Sequence, residues 1–387
     1  MSSRSLLRPS RRVLLASLAV GSALACAPPA LATNDGLDVV ADGLANPRGL
    51  SFGPGGLLYV AEAGRGGSGP CITAGDPDGP PSCYGATGAI TAVHVRSGRK
   101  LRILRGLPSL AAKEGETPGA DAIGPQDISF GGGRAYFTVG LAADPAVREQ
   151  LGEAGRRFAG LYSIGRGGLT RVADLGAYEA ANNPDAGQPE SEADTNPYSV
   201  DATRPGRILV TDAGGNDLLS VNRRGRVKTL AVFPFGQTLA PPFLGLPPGA
   251  QIPYQPVPTG VVRGRDGAAY VGQLTGFPFA VGAANVYRVK GAGTPTVQVS
   301  GLTTVLDVGV GRRGDLYVLQ ISTTGLAGPP SPGKLIRVGR DGTQTELAAG
   351  KLEQPSGLAV SHDGDVYVAN KGSSPSDAEI VRIASDD

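Results

Sequence analysis

Apolar and polar positions alternate along this chain in a pattern that recurs six times. Each copy opens with a short segment, often Pro-x-Gly-Leu, passes a turn, and enters an apolar strand that often contains Tyr-Val. Pro47–Leu50 leads to Leu57–Ala61, Pro125–Ile128 to Ala135–Phe137, and Pro197–Val200 to Ile208–Val210. Pro258–Val261 leads to Ala269–Val271, Val305–Val308 to Leu316–Val318, and Pro355–Leu358 to Val366–Val368. A third strand follows each pair, as in Ala89–Val93, Gly160–Ile164 and Glu379–Ile383. A fourth follows in the first five copies, as in Lys100–Leu104. Alternation of period two buries one face of each strand, and repeats of this kind bury that face by stacking on their neighbours.

Four-stranded antiparallel units repeated radially predict an all-β, six-bladed β-propeller. The sixth copy lacks an outer strand after Ile383, whereas Leu37–Leu44, ahead of the first copy, resembles the fourth strand of blade five, Thr345–Gly350. Leu37–Leu44 is therefore expected to pair with Glu379–Ile383 and close the ring, leaving only short edges. A β-sandwich is the other architecture open to short alternating strands. Six copies and a complementary N-terminal strand argue against it.

Turns between first and second strands (131–133, 265–267, 362–364) and between third and fourth (96–98, 165–167, 223–225) are short, as hairpins require. Long segments follow second strands (62–87, 140–158, 273–283, 320–332, 371–378) or precede first strands (107–124, 176–196, 234–257). In an up-and-down blade these two classes share one side, so the insertions are expected to crowd one face, where a rigid scaffold carries function. Residues 145–158 predict a short helix capped by Asp144, with Val147, Leu151 and Phe158 on one face. Residues 179–194 carry Glu179, Asp185, Glu190, Glu192 and Asp194 and no basic residue. A solvated loop or a divalent-cation collar would both suit them.

The 60 glycines and 32 prolines of this 387-residue chain recur beside apolar runs and so serve turns rather than disorder. Residues 1–32 read as a signal peptide: Arg4, Arg8, Arg11 and Arg12, then the apolar Val13–Leu24, then Ala30-Leu31-Ala32 for cleavage. The paired arginines give it twin-arginine character. Cys26 offers a lipid-attachment reading, which the residues before Ala25 fit poorly. Residues 33–387 are then a single secreted propeller domain with no further membrane span. Removing the signal takes away four arginines and no acid, so the formal charge of +2 becomes −2. That balance leaves no basic field for nucleic acid or anionic lipid. Export also favours a Cys71–Cys83 disulfide over a metal pair, which would need further ligands.

Only His94 and His362 are present, and neither is well placed, which disfavours a Ser-His-Asp triad, a histidine metal centre and histidine-based quinone dehydrogenases. The polar residues at strand ends are better candidates. Glu62, Asp212, Gln273 and Asn370 end second strands, Asn46, Asn196 and Gln354 precede inner-strand prolines, and Asp212-x-x-x-Asn216 resembles the NHL repeat, in which such residues brace the loop. A ring of Glu, Asn and Asp also suits a hard cation, so the composition permits calcium. Phe277-Pro278-Phe279 forms an apolar wedge, suited to packing the mouth or to touching a ligand.

Gln273–Phe279, followed by Gly282–Val289, is similar to the signature of the ScyD/ScyE family, and Val257–Val261 and Asp194–Tyr198 fit as well. The resemblance spans the mature chain. It implies a secreted NHL-like propeller of a family associated in cyanobacteria with the pigment scytonemin, and it supplies no catalytic set to transfer. The sequence thus points to a binding or scaffold protein for a small molecule or an envelope protein, acting at the loop-side mouth through Glu62, Asn196, Asp212, Asn216, Gln273, Phe277, Phe279 and Asn370. The alternative is a divalent-cation-dependent hydrolase or lactonase in the same channel.

Overall fold

The computed structural model describes residues 33–34, 37–74, 79–115, 117–189 and 191–384. The signal-peptide reading of 1–32 and Glu190 of the acidic loop lie outside the described residues.

Six antiparallel sheets form the blades. Their inner strands are Pro47–Phe52, Pro125–Gly131, Pro197–Asp201, Pro258–Arg263, Val305–Val310 and Gly357–Val360, and each lies beside the next around a ring. Strand length, alternation and glycine turns gave each blade its register. In blade three, for example, Ile208 pairs Val221 and Asp212 pairs Asp217. The expected closure is present: Asp38 pairs Arg382, Val39 pairs Val381, Ala41 pairs Ile380 and Leu44 pairs Ala378. Six apolar clusters fill the spaces between successive blades. Phe137 and Ile90 meet between blades one and two, and Leu209 and Val271 between three and four. Leu358 and Leu319 meet between blades five and six.

Polar side chains of the inner strands clip blade to blade. Asp127 of blade two accepts from the Ser199 hydroxyl at 2.6 Å and the Val200 N–H at 2.8 Å. Asp307 of blade five accepts from the Leu358 N–H at 2.8 Å. Each carboxyl lies against a glycine at the equivalent place in the preceding blade. A Cβ on Gly49 would sit 1.9 Å from Asp127 Oδ1, and one on Gly260 would sit 2.4 Å from Asp307 Oδ1. Glycine at this place in blades one and four thus leaves room for the carboxyl of the blade that follows.

The long segments gather at one end and are tied to one another. Asn46 N–H donates to Ser374 O at 2.7 Å, Asp121 N–H to Ser373 O at 3.2 Å, and Thr195 N–H to Ala143 O at 3.2 Å. The segment predicted helical over 145–158 is instead 3₁₀ over Pro145–Arg157, broken at Gly152, which adopts φ 59°. Its cap and docking face are as expected: Asp144 accepts from Ala146 N–H, and Leu151 and Phe158 are buried. Two further elements occupy the loops: an α-helix, Leu175–Asn182, capped by Asp174, and a hairpin of Gly236–Leu239 with Gln251–Tyr254. The third and fourth strands of blade one run on to Ser82–His94 and Arg99–Ala112, past the body of the blade, and the Cys71–Cys83 disulfide ties the loop before them.

Candidate functional site

Most of the strand-end polar residues are buried and engaged with the scaffold. Glu62 is 1 % exposed; it accepts from Ala45 N–H at 2.9 Å and from Arg102 at 2.8 and 3.0 Å, with Thr91 on the same carboxylate. Burial pushes its carboxyl up, but these donors outweigh burial and hold it below the usual range. Gln273 accepts from Asn285 N–H and Nδ2, and Asn370 accepts from Glu353 N–H and donates to Glu379. Asn196 Oδ1 accepts from Leu141 N–H at 3.3 Å. Gln320 of blade five, which sequence reasoning passed over, fills the same role by accepting from Thr303 N–H at 2.9 Å. Glu62, Gln320 and Asn370 therefore brace a neighbouring loop, and Gln273 braces the start of its own blade's third strand, as amide and carboxylate oxygens near orphan backbone N–H groups do.

Around Asp212 the bracing becomes a nest of acids. Asp212 accepts from Thr195 Oγ1 at 2.6 Å and from the N–H groups of Asn196, Gly214 and Gly215. Asn216 donates to Asp185 at 2.9 Å and to Gln255 at 3.4 Å, and accepts from Val257 N–H. Glu179 comes from the loop helix, Asp185 and Asp194 from the acidic loop, and Asp217 stands beside Asp212 in the sheet register. Burial, reinforced by the surrounding acids, pushes Glu179 up to about 8 and Asp194 up to about 7, and lifts Asp217 well above the carboxylate range. Asp194 and Asp217 each keep one buried oxygen without a hydrogen-bond partner. Among the described residues no group of three or more His, Cys, Asp or Glu is placed to hold a metal ion.

The channel is open at its short-turn half, where a cavity of about 260 Å³ is lined by Asp127, Ser199, Asp201 and Asp307. Burial, with Asp201 adding to it, pushes Asp127 up to about 7, and burial with Asp127 beside it lifts Asp307 well above its ordinary value. Toward the loops, Arg48 reaches Ala122 O at 2.8 Å, tying blade one to the loop ahead of blade two.

Among the described residues, the exposed apolar side chains of the loop face gather mainly over blades three and four. Residues 236–254 and 273–284 contain no charged residue. Phe243 is 68 % and Phe277 44 % exposed, with ring centroids 6.1 Å apart, and Phe277 lies 6.5 Å from Phe279, which is half-buried. Leu239, Leu244, Leu246 and Val281 are exposed on the same two segments. Of the eight residues singled out from sequence, Phe277 and Phe279 thus share one surface, Asp212, Asn216 and Asn196 share the nest region, and Glu62, Gln273 and Asn370 stand apart in their own blades.

No family model matches the chain, and no curated protein matches it. Solved structures do. A protein of unknown function from Bacteroides thetaiotaomicron aligns over 91 % of this chain and 72 % of its own, at 9 % identity and a TM-score of 0.50. A putative gluconolactonase aligns over 90 % and 93 % at 12 % identity and TM-score 0.47, and a streptogramin B lyase over 89 % and 96 % at 13 % and 0.45. The likeness is one of fold. Identities this low carry no activity across. No helix among the described residues is long and apolar enough to cross a membrane.

Proposed function

We propose that this chain is a secreted binding protein of the ScyD/ScyE kind that holds a partner with an apolar surface on the Phe243–Phe277 edge of its loop face. The observation that carries the reading is the concentration of exposed Leu239, Phe243, Leu244, Leu246, Phe277 and Val281 on two uncharged loop segments held by a rigid ring. Contiguous exposed apolar surface of this kind marks interaction sites, and aromatic anchors dominate such contacts. The mouth residues support the patch from beneath. Asn216 holds Gln255 and Val257 at the foot of the hairpin, and Gln188 holds Phe235.

The test is fluorescence of an anilinonaphthalene sulfonate dye bound to the folded chain. Phe243→Ser with Phe277→Ser is expected to remove most of the dye signal and leave the melting temperature in place, because both rings are solvent-facing. Unchanged dye binding in the double variant would sink the reading.

A second reading, a divalent-cation-dependent hydrolase or lactonase, is favoured by the acids that crowd the nest, where Asp194 and Asp217 each keep a buried oxygen without a hydrogen-bond partner. It requires that calcium raise the melting temperature and switch on turnover of a simple lactone, with chelator reversing both. Calcium without effect on either measurement rules it out.

A further inference from the structure

The near balance of charge along the chain is not a balance in space. The turns at the short-turn end of blades two and three are 131–134, 165–168, 202–207 and 222–227, and none contains an acid. They carry Arg134 and Arg166, then Arg204 and Arg207, then Arg223, Arg224 and Arg226, all exposed. Among the described residues none of these guanidinium groups has an ion-pair partner. Arg223 crosses between the blades: its side chain lies 3.5 Å from where a Cβ on Gly206 would stand and 3.6 Å from one on Gly132. Arg204 reaches toward Gly267 of blade four and Arg134 lies over Gly165. The adjoining acids are occupied elsewhere. Asp201 is buried, accepts from Thr203 and Arg263 N–H, and faces the Arg263 guanidinium, while Asp266 is paired with Arg288 at 2.6 Å.

We propose that this end of the propeller docks electrostatically on an anionic membrane surface. Short turns on a rigid ring present their tips together at one end, which suits a flat sheet of phosphate headgroups better than a curved duplex reached by a few tips. The turns contain no aromatic side chain to stack on a base. Their one branched apolar side chain, Val227, is partly buried against the core between the blades rather than free to insert among lipid chains, so binding is by charge alone, and attraction of this kind fades within a Debye length. The surface is opposite the loop face, so it goes beyond the binding role proposed for Phe243 and Phe277 and does not depend on it.

The experiment is co-sedimentation of the full chain without its signal segment with phosphatidylcholine vesicles, with and without phosphatidylglycerol, across rising salt. Sedimentation is expected only with the anionic lipid, falling steeply as salt rises. The triple variant Arg204→Gln, Arg223→Gln, Arg224→Gln is expected to weaken it on the order of a hundredfold, while Arg156→Gln on the loop face leaves it unchanged. All three substituted side chains are exposed, and an unaltered melting temperature confirms that the variant folds. Absence of sedimentation with phosphatidylglycerol, or equal partition of the triple variant and its parent, overturns the proposal. Tighter binding to duplex DNA than to the vesicles, lost in the same triple variant, overturns it in favour of a phosphodiester polymer.

Discussion

A chain lacking residues 1–44 is expected to lose its cooperative thermal transition and to elute as aggregate, whereas one lacking only residues 1–32 melts normally. Leu37–Leu44 is the outer strand of the last blade. Leu37, Val39, Val40 and Leu44 are all under a tenth exposed. Burial of each contributes about 1.5–3 kcal/mol, together on the order of 6–12 kcal/mol, which rivals the ~5–15 kcal/mol net stability of a typical domain. Its loss would also bare Ile380 and Val381, now fully buried, along an unpaired strand edge. Differential scanning calorimetry with size-exclusion chromatography reads both effects. A cooperative transition within a few degrees of the parent would show that the ring closes without this strand.

Stability is expected to fall as pH rises from about 5 to 8, against the usual carboxylate trend. Glu179 is raised from 4.5 to about 8, and Asp194 and Asp127 from 3.8 to about 7. Between the unfolded and folded values the folded chain holds protons that the unfolded chain has released. The slope of unfolding free energy with pH is therefore negative across that window, at about 1.4 kcal/mol per pH unit for each group in transition. Glu179 faces Asp212, Asp185 and Asp194, its own helix carries no basic residue, and Arg148 and Arg171 from the neighbouring segments are committed to Asp174 at the helix start. Glu62 and Asp174, whose carboxyls are held low, act oppositely but only in acid, where their contribution is lost as pH falls. Urea unfolding at pH 5 and pH 8 measures the slope. Glu179→Gln, which removes a charge and adds a donor among carboxylates, is expected to stabilise the protein at pH 8 by about 1–3 kcal/mol and to do little at pH 5. Greater stability of the parent at pH 8 than at pH 5 would contradict the protonated nest.

Blade number, strand register and ring closure were legible because alternation is imposed at every buried strand and Leu37–Leu44 carries the same pattern as Thr345–Gly350. The disulfide was legible because two cysteines leave one pairing. The helix Leu175–Asn182 was not, since two turns carry little periodicity, although Asp174 three residues before Ala177 was a capping signal. The hairpin 236–254 has no alternation to find; it is held by Gln188 and Asn216 from other segments. Glu62, Gln273 and Asn370 looked like a mouth ring because their positions are equivalent. Sequence does not say whether a strand-end carboxylate or amide faces the channel or turns back to a loop N–H, and here the loop N–H groups took them. The basic end was hidden because its arginines are scattered over residues 134–226 and meet only when hairpins stack.

The seam between Asp38 and Arg382 joins one strand to another that is translated only after the intervening blades. While the ribosome works through the intervening blades, the early strand has no partner, and its apolar face stays exposed for that whole interval. Blades one to five can collapse as they emerge, but the final lock is set only after residue 383 is released from the exit tunnel. Any premature stop within the last blade therefore yields a product with two adhesive edges rather than a slightly shorter ring, a natural substrate for chaperones and proteases.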